Sequence, residues 1–182
     1  IPDVDAFFEM LRRKTGWYSG RGPCKMGAII AGASAEQQKL IGDFGESMAV
    51  AFQIRDDLLN LVVEESDAAQ APTMTSGGYG KERGGDIAEG KRTLMVIDLL
   101  NRCTKEEHKR VRTILDQDRD VTTEEEVEWV IELMDSYGAI EKATQVCHAR
   151  AEAAAAYLDE LPETNARETL REMCSFLVER VF

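Results

Sequence analysis

From Ser34 to about Val63 nothing in the sequence stops a helix, and this run limits the fold more than any other feature of the chain. Ser34 with Gln37 three positions on has the spacing of a capping box. Beyond it Leu40, Ile41, Phe44, Met48, Ala51, Phe52, Leu58, Leu59 and Val62 supply the apolar positions of a helix. At 1.5 Å per residue, about 28 residues make a helix some 40 Å long. Gly42 and Gly45 lie inside it, and each costs roughly 1 kcal/mol against alanine. Glycines tolerated there permit close approach of another helix.

The surrounding elements also read as helices. Residues 3–14, "DVDAFFEMLRRK", open with an acidic cap and place Val4, Phe7, Phe8 and Leu11 on one stripe. A break is expected at "TGWYSGRGP", which is rich in glycine and ends at Pro23, followed by a closely packed helix of small apolar residues over 24–33. A loop at 67–86 carries Pro, Ser, Thr and several glycines; loops this long are usually functional or disordered. Helical patterns resume at about 90–102, 104–117, 122–134, 136–160 and 164–181. Thr104 with Glu107, and Thr122 with Glu125, have capping-box spacing. No segment alternates as a strand does, and no internal repeat is evident. The expected class is all-α.

A chain of 182 residues with 43% apolar residues can bury a proper core. Runs such as "MAVAF" at 48–52 are far too short to span a membrane. The start has no basic stretch followed by an apolar core and a small-residue cleavage site, so a cytoplasmic location is expected. The chain begins with Ile1 rather than Met, which leaves room for residues upstream. A net charge of -12, from 34 acidic against 22 basic residues, argues against nucleic acid as the main partner. Arginine outnumbers lysine 14 to 8, a balance that suits solubility at high salt. Cys24, Cys103, Cys147 and Cys174 form no CxxC pair, and no histidine stands at zinc-ligand spacing from them; buried free thiols are expected. His108 and His148 have no visible catalytic partner.

The chemistry concentrates in "FQIRDDLLNL" at 52–61. With Asp56 set at 0° and about 100° per residue, Asn60 falls near 40°, Gln53 near 60° and Asp57 near 100°. Four polar groups share one sector of an otherwise apolar helix. Two carboxylates so close repel one another unless a cation compensates. Mg²⁺ is a natural partner, because it prefers carboxylate oxygen, keeps several waters and shares its sphere with phosphates. A solvated acidic patch, with Arg55 or a distant lysine as counter-charge, is the other reading of the pair alone. The loop sequence "GGYGKERGGDIAEGKRT" adds glycines and the cations Lys81, Arg83, Lys91 and Arg92, a combination that suits phosphate. Gly85, Gly90 and Lys91 fit the first part of a nucleotide P-loop, but Arg92 follows instead of Ser or Thr and no strand precedes, so that motif is rejected. A third basic cluster, "RRKTG" at 12–16, could equally serve the dipole at a helix C-terminus. An acidic face and three basic clusters in an all-α protein point to a metal-bridged diphosphate.

Taken in order, "RRKTG", "GDFGESMAVAFQIRDDLLNL" and "GKERGGDIAEGKRTLMVI" resemble the trans-isoprenyl diphosphate synthase family, the head-to-tail prenyltransferases. The resemblance covers roughly residues 5–105. It implies an all-α helical bundle around a central cavity, commonly as a homodimer. It implies Mg²⁺-dependent condensation of an allylic diphosphate with isopentenyl diphosphate. It further implies that Asp56 and Asp57 are metal ligands, with Asn60 at the third position where the family usually has Asp, a form similar to geranylgeranyl diphosphate synthases. Lys14 and Thr15 would contact the allylic diphosphate, Gln53 would hydrogen-bond near the reacting carbon, and Lys81 and Lys91 would neutralise diphosphate oxygens.

The chain departs from that family in one respect. Asp56-Asp57 is its only Asp-Asp pair, and "LDQDRD" at 115–120 reads as a solvated loop, so the family's first Asp-rich motif is absent. Residues 1–182 are therefore expected to be the C-terminal part of a single synthase domain. Two readings follow: a prenyl synthase whose other half lies elsewhere, or a non-catalytic relative or regulatory subunit that acts by helical pairing.

Overall fold

The computed structural model describes residues 3–61 and 83–179, and every regular element in them is helical. In order these are α1 (Val4–Leu11), a π-helical segment (Arg12–Arg21), α2 (Gly22–Ile30), α3 (Ala35–Leu59), the short α4 (Gly85–Ala88), α5 (Leu94–Arg102), α6 (Lys105–Asp116), a 3₁₀ turn (Arg119–Val121), α7 (Glu124–Ser136), α8 (Ala139–Asp159) and α9 (Asn165–Glu179). The expected class holds. Most of the 67–86 loop, including Lys81, lies outside the described residues.

The long helix is α3, and its start is as the sequence reads. Ser34 Oγ accepts from the Gln37 amide while Gln37 Oε1 accepts from the Ser34 amide. It ends at Leu59 rather than near Val63, with Asn60 as its C-cap. One flank packs against the π-helical segment and α2, and another against α8. Phe44, Met48, Ala51, Ile54 and Leu58 of α3 are buried, as are Ala143, Cys147, Ala151, Ala154 and Leu158 of α8. The alanines of "HARAEAAAAYLDEL" thus include a packing face toward α3. Helix α5 is buried from Leu94 through Leu100, a run that no surface helix could carry.

The expected break at 15–23 does not occur. The chain stays helical from Val4 to Ile30, with wider turns over Arg12–Arg21. The glycines there serve a helix crossing instead of a turn. A Cβ on Gly20 would lie 2.0 Å from the Gly45 carbonyl oxygen, and one on Gly45 would lie 2.6 Å from Cys24 Sγ. The two backbones touch, which only glycine permits. Pro23 falls at the start of α2, just after the π turns, where its missing N–H and its ring are tolerated.

A second correction concerns α7. Thr123, not Thr122, caps it, and Glu126, not Glu125, completes the box. Thr122 Oγ1 is engaged by Gln117 Nε2 at 3.1 Å, and the same amide reaches Glu126 at 2.8 Å. The box of Thr104 with Glu107 forms as read. All four cysteines are free; Cys147 and Cys174 are buried, whereas Cys24 and Cys103 are only half-buried. Of the 115–120 stretch expected to be a solvated loop, Leu115 and Asp116 instead end α6, with Leu115 buried against the core, while residues 117–120 are largely exposed.

Candidate functional site

The polar sector of α3 faces two other segments. Gln53 is its hub: Gln53 Nε2 donates to Asp57 Oδ1 at 3.0 Å, and Gln53 Oε1 accepts from Thr15 Oγ1 at 3.4 Å. The π-helical segment, held close by the glycine crossing, is what brings Thr15 there. Lys14 is exposed beside it. Arg12 and Arg13 are occupied with Glu9 at 2.8 and 2.5 Å, and Arg12 also approaches Glu46 at 3.5 Å. Of the basic cluster at 12–16, Lys14 is the cation that makes no ion pair among the described residues.

Asp57 is buried and Asp56 half-buried. Burial pushes the Asp57 carboxyl up to about 7; the hydrogen bond from Gln53 pulls down, the charges of Asp86 and Asp56 push up again, and Lys91 pulls down. Burial is the leading reason that the charged carboxylate is disfavoured here, and a nearby cation would offset it. Among the described residues no group of three His, Cys, Asp or Glu side chains forms a ready metal cage. Two adjacent carboxylates on an acidic face nevertheless fit Mg²⁺, which takes one or two carboxylates and fills its sphere with water and phosphate oxygen. The donor set is all oxygen, as a hard cation requires.

The third segment is the turn 83–91, which folds back onto the end of α3. Arg83 Nε donates to the Leu61 carbonyl at 2.9 Å, the Gly84 amide to the Asn60 carbonyl at 2.7 Å, and the Asp86 amide to Asn60 Oδ1 at 3.0 Å. Gly84 has φ +71°, and a Cβ there would lie 2.3 Å from Val127 Cγ1, so no other residue fits the entry to this turn. Asp86 is buried and holds Lys91, with Nζ 2.6 Å from Oδ1; Glu89 takes the same ammonium at 3.0 Å. These carboxylates hold the Lys91 ammonium above its ordinary pKa, with the Asp86 hydrogen bond foremost.

The structure thus gathers Thr15, Gln53, Asp56, Asp57, Asn60 and Lys91 around the C-terminal end of α3. Two of the loop cations are committed elsewhere. Arg83 pairs with Glu128, and Arg92 pairs with Asp116 at 2.5 Å, on the side facing α6. Sequence reasoning missed Asp86, although it stands inside the quoted loop motif. The signal was an acid five positions before a lysine, bracketed by glycines. Asn60, expected among the metal ligands, has its side-chain oxygen engaged by the Asp86 amide.

Residues 2–134 match the model of the polyprenyl synthetase family. A short chain isoprenyl diphosphate synthase of Methanothermobacter thermautotrophicus is 34% identical over 176 residues, which is 97% of this chain and 49% of that protein. An octaprenyl diphosphate synthase of Escherichia coli is 32% identical over 84% of this chain and 43% of its own. Among solved structures, geranylgeranyl pyrophosphate synthase from Corynebacterium glutamicum, complexed with isoprenyl diphosphate and magnesium, superposes with a TM-score of 0.81 at 30% identity; the match covers 98% of this chain and 47% of that one. The chain spans about half the length of the curated relatives it matches over nearly all of its own residues. Among the described residues no helix is long and apolar enough to cross a membrane.

Proposed function

The chain belongs to the polyprenyl synthetase family, and from that premise we propose that it forms the C-terminal part of a Mg²⁺-dependent prenyltransferase. That enzyme condenses an allylic diphosphate with isopentenyl diphosphate. The C–O bond to the allylic diphosphate breaks, a new carbon–carbon bond forms to isopentenyl diphosphate, and the proton lost from the adduct leaves with pyrophosphate. The observation that supports this reading best is the buried, charge-starved Asp57 beside Asp56, with Lys91 in electrostatic range.

In this reading Asp56 and Asp57 hold the metal. Bound Mg²⁺ supplies Lewis-acid stabilisation of the charge that develops on the departing diphosphate. Lys91 gives up part of its contact with Asp86 and Glu89 to neutralise diphosphate oxygen, a preorganised cation aimed at developing charge. Lys81, outside the described residues, is a second cation for the same anion. Exposed Lys14, with Thr15, takes the allylic diphosphate. Gln53 fixes the Asp57 carboxylate from one side and Thr15 from the other, so it sets the spacing between the metal and the allylic end. The apolar neighbours Ile54 and Leu58 help keep water from Asp57. The "DDLLN" form is the ground for a geranylgeranyl-type product, and the family resemblance is the ground for a homodimer.

The test is Mg²⁺-dependent chain elongation by the complete protein, with product length read by chromatography. Asp56→Ala with Asp57→Ala is expected to lower turnover at least about a hundredfold, since charge stabilisation at the reacting centre is lost. Unchanged turnover in that double variant would sink the reading.

A further inference from the structure

We propose that Asn60 is a positioning residue that acts through Asp86 on Lys91, rather than a ligand of the metal. The proposal rests on the assignment of Lys91 to the diphosphate. Asn60 is 5% exposed and caps α3, so its side chain has little freedom. Its Oδ1 accepts the Asp86 amide at 3.0 Å, and its own carbonyl accepts the Gly84 amide at 2.7 Å. One residue thereby pins two points of the turn. Just beyond α3, Arg83 Nε on the Leu61 carbonyl adds a further tie between the turn and this end of the helix.

The linkage then runs in one direction. Asp86, held by its backbone amide, presents Oδ1 to Lys91 Nζ at 2.6 Å, and its carbonyl accepts the Lys91 amide at 2.9 Å. Both the backbone and the ammonium of Lys91 are therefore set by Asp86, and Asp86 is set by Asn60. The return of the turn is fixed by Gly90 at φ +68°, where a Cβ would lie 2.3 Å from the Leu115 carbonyl oxygen. The oxygen that a ligand role would require of Asn60 is the one that holds the turn. An aspartate at this position keeps that acceptor, whereas alanine removes it and leaves a buried amide unpaired.

The experiment is a double-variant cycle in the complete protein, read by binding of inorganic pyrophosphate in the presence of Mg²⁺ and by amide exchange over residues 83–91. Asn60→Ala is expected to speed exchange across the turn and to weaken pyrophosphate about tenfold, as supporting contacts around a charged site commonly do. In a Lys91→Ala background the same change is expected to add less than about twofold, because coupled residues are not additive. Asn60→Asp is expected to keep exchange slow, which separates loss of the acceptor from general misfolding. Unchanged exchange in Asn60→Ala, or full additivity with Lys91→Ala, would overturn the proposal. If Lys91→Ala alone left pyrophosphate binding intact, the functional reading of Lys91 would fall, while exchange would still decide whether Asn60 holds the turn.

Discussion

Asp98 and Asp57 are both carboxylates buried on helices, and their surroundings are opposite. Asp98, on α5, is 6% exposed and receives Lys142 Nζ at 2.5 Å on one oxygen and the Arg102 guanidinium on the other. Asp57, on α3, is 8% exposed and receives one neutral amide, from Gln53, with two further carboxylates nearby and the Lys91 charge acting on it only through space. The first acid is neutralised by its own fold. The second has no ion pair at contact distance among the described residues. Buried charges are normally paired or coordinate a metal, so the contrast separates an acid that fastens helices together from the one proposed above to take a cation.

Removing the cations of the paired acid should have the largest effect on stability. Lys142→Met with Arg102→Met leaves Asp98 buried and uncompensated, and should cost about 3–5 kcal/mol in denaturant unfolding. A loss below about 1 kcal/mol, the usual worth of a surface pair, would erase the distinction between the two acids.

Asp57→Asn should move stability the other way. In the metal-free protein the Asp57 carboxyl titrates at about 7, against an unfolded value of 3.8. Between these two pH values the folded state keeps a proton that the unfolded chain has released. The contribution of this group therefore favours folding at low pH and declines as pH rises from about 4 to 7. Above neutrality Asp57→Asn should be more stable than the parent by about 2–4 kcal/mol, and the gain should shrink toward pH 4. Thermal unfolding in a chelator across that range checks the sign; a gain independent of pH would mean that folding does not raise the Asp57 pKa.

A smaller change should follow from Gln53→Leu, which removes the amide donor to Asp57. The net cost of losing one such bond is about 1 kcal/mol. More telling is the direction of titration: the Asp57 carboxyl should move further up, because the Gln53 bond is the leading influence that pulls it down. Carboxyl carbon chemical shifts followed against pH read this directly, and a downward move would contradict the account of Asp57.

The difference between the two acids was not visible in the sequence. Asp56-Asp57 stood out because adjacent acids in an apolar run are locally odd. Asp98 lies in an equally apolar run, "LMVIDLL"; its partner Arg102 is local at i+4, but its burial and its second partner Lys142, 44 positions away, come from the tertiary fold. Asp86 escaped for the same reason: its burial depends on the turn folding against Asn60. Helix starts at Ser34 and Thr104 were readable because a capping box is complete within four residues. At Thr122 and Thr123 two such boxes overlap, and Gln117 decides between them. The glycines at 16 and 20 read as a break because their local preference is for turns; the crossing against α3 that overrides it, Gly20 on Gly45 and Gly16 on Glu46 and Val50, is a tertiary contact. Local chemistry pointed to the candidate site, and long-range packing determined which of its charges are paired within the fold.

The central claim is that Asp57 waits for a cation delivered with diphosphate. Calorimetric titration of Mg²⁺ and inorganic pyrophosphate into the complete protein near pH 6, repeated in buffers of different ionisation enthalpy, counts the protons released on binding. Because metal binding requires a deprotonated carboxylate, the parent should release about one proton more than Asp57→Asn. Equal proton release by the two proteins, with equal affinity, would show that Asp57 has no part in holding the metal.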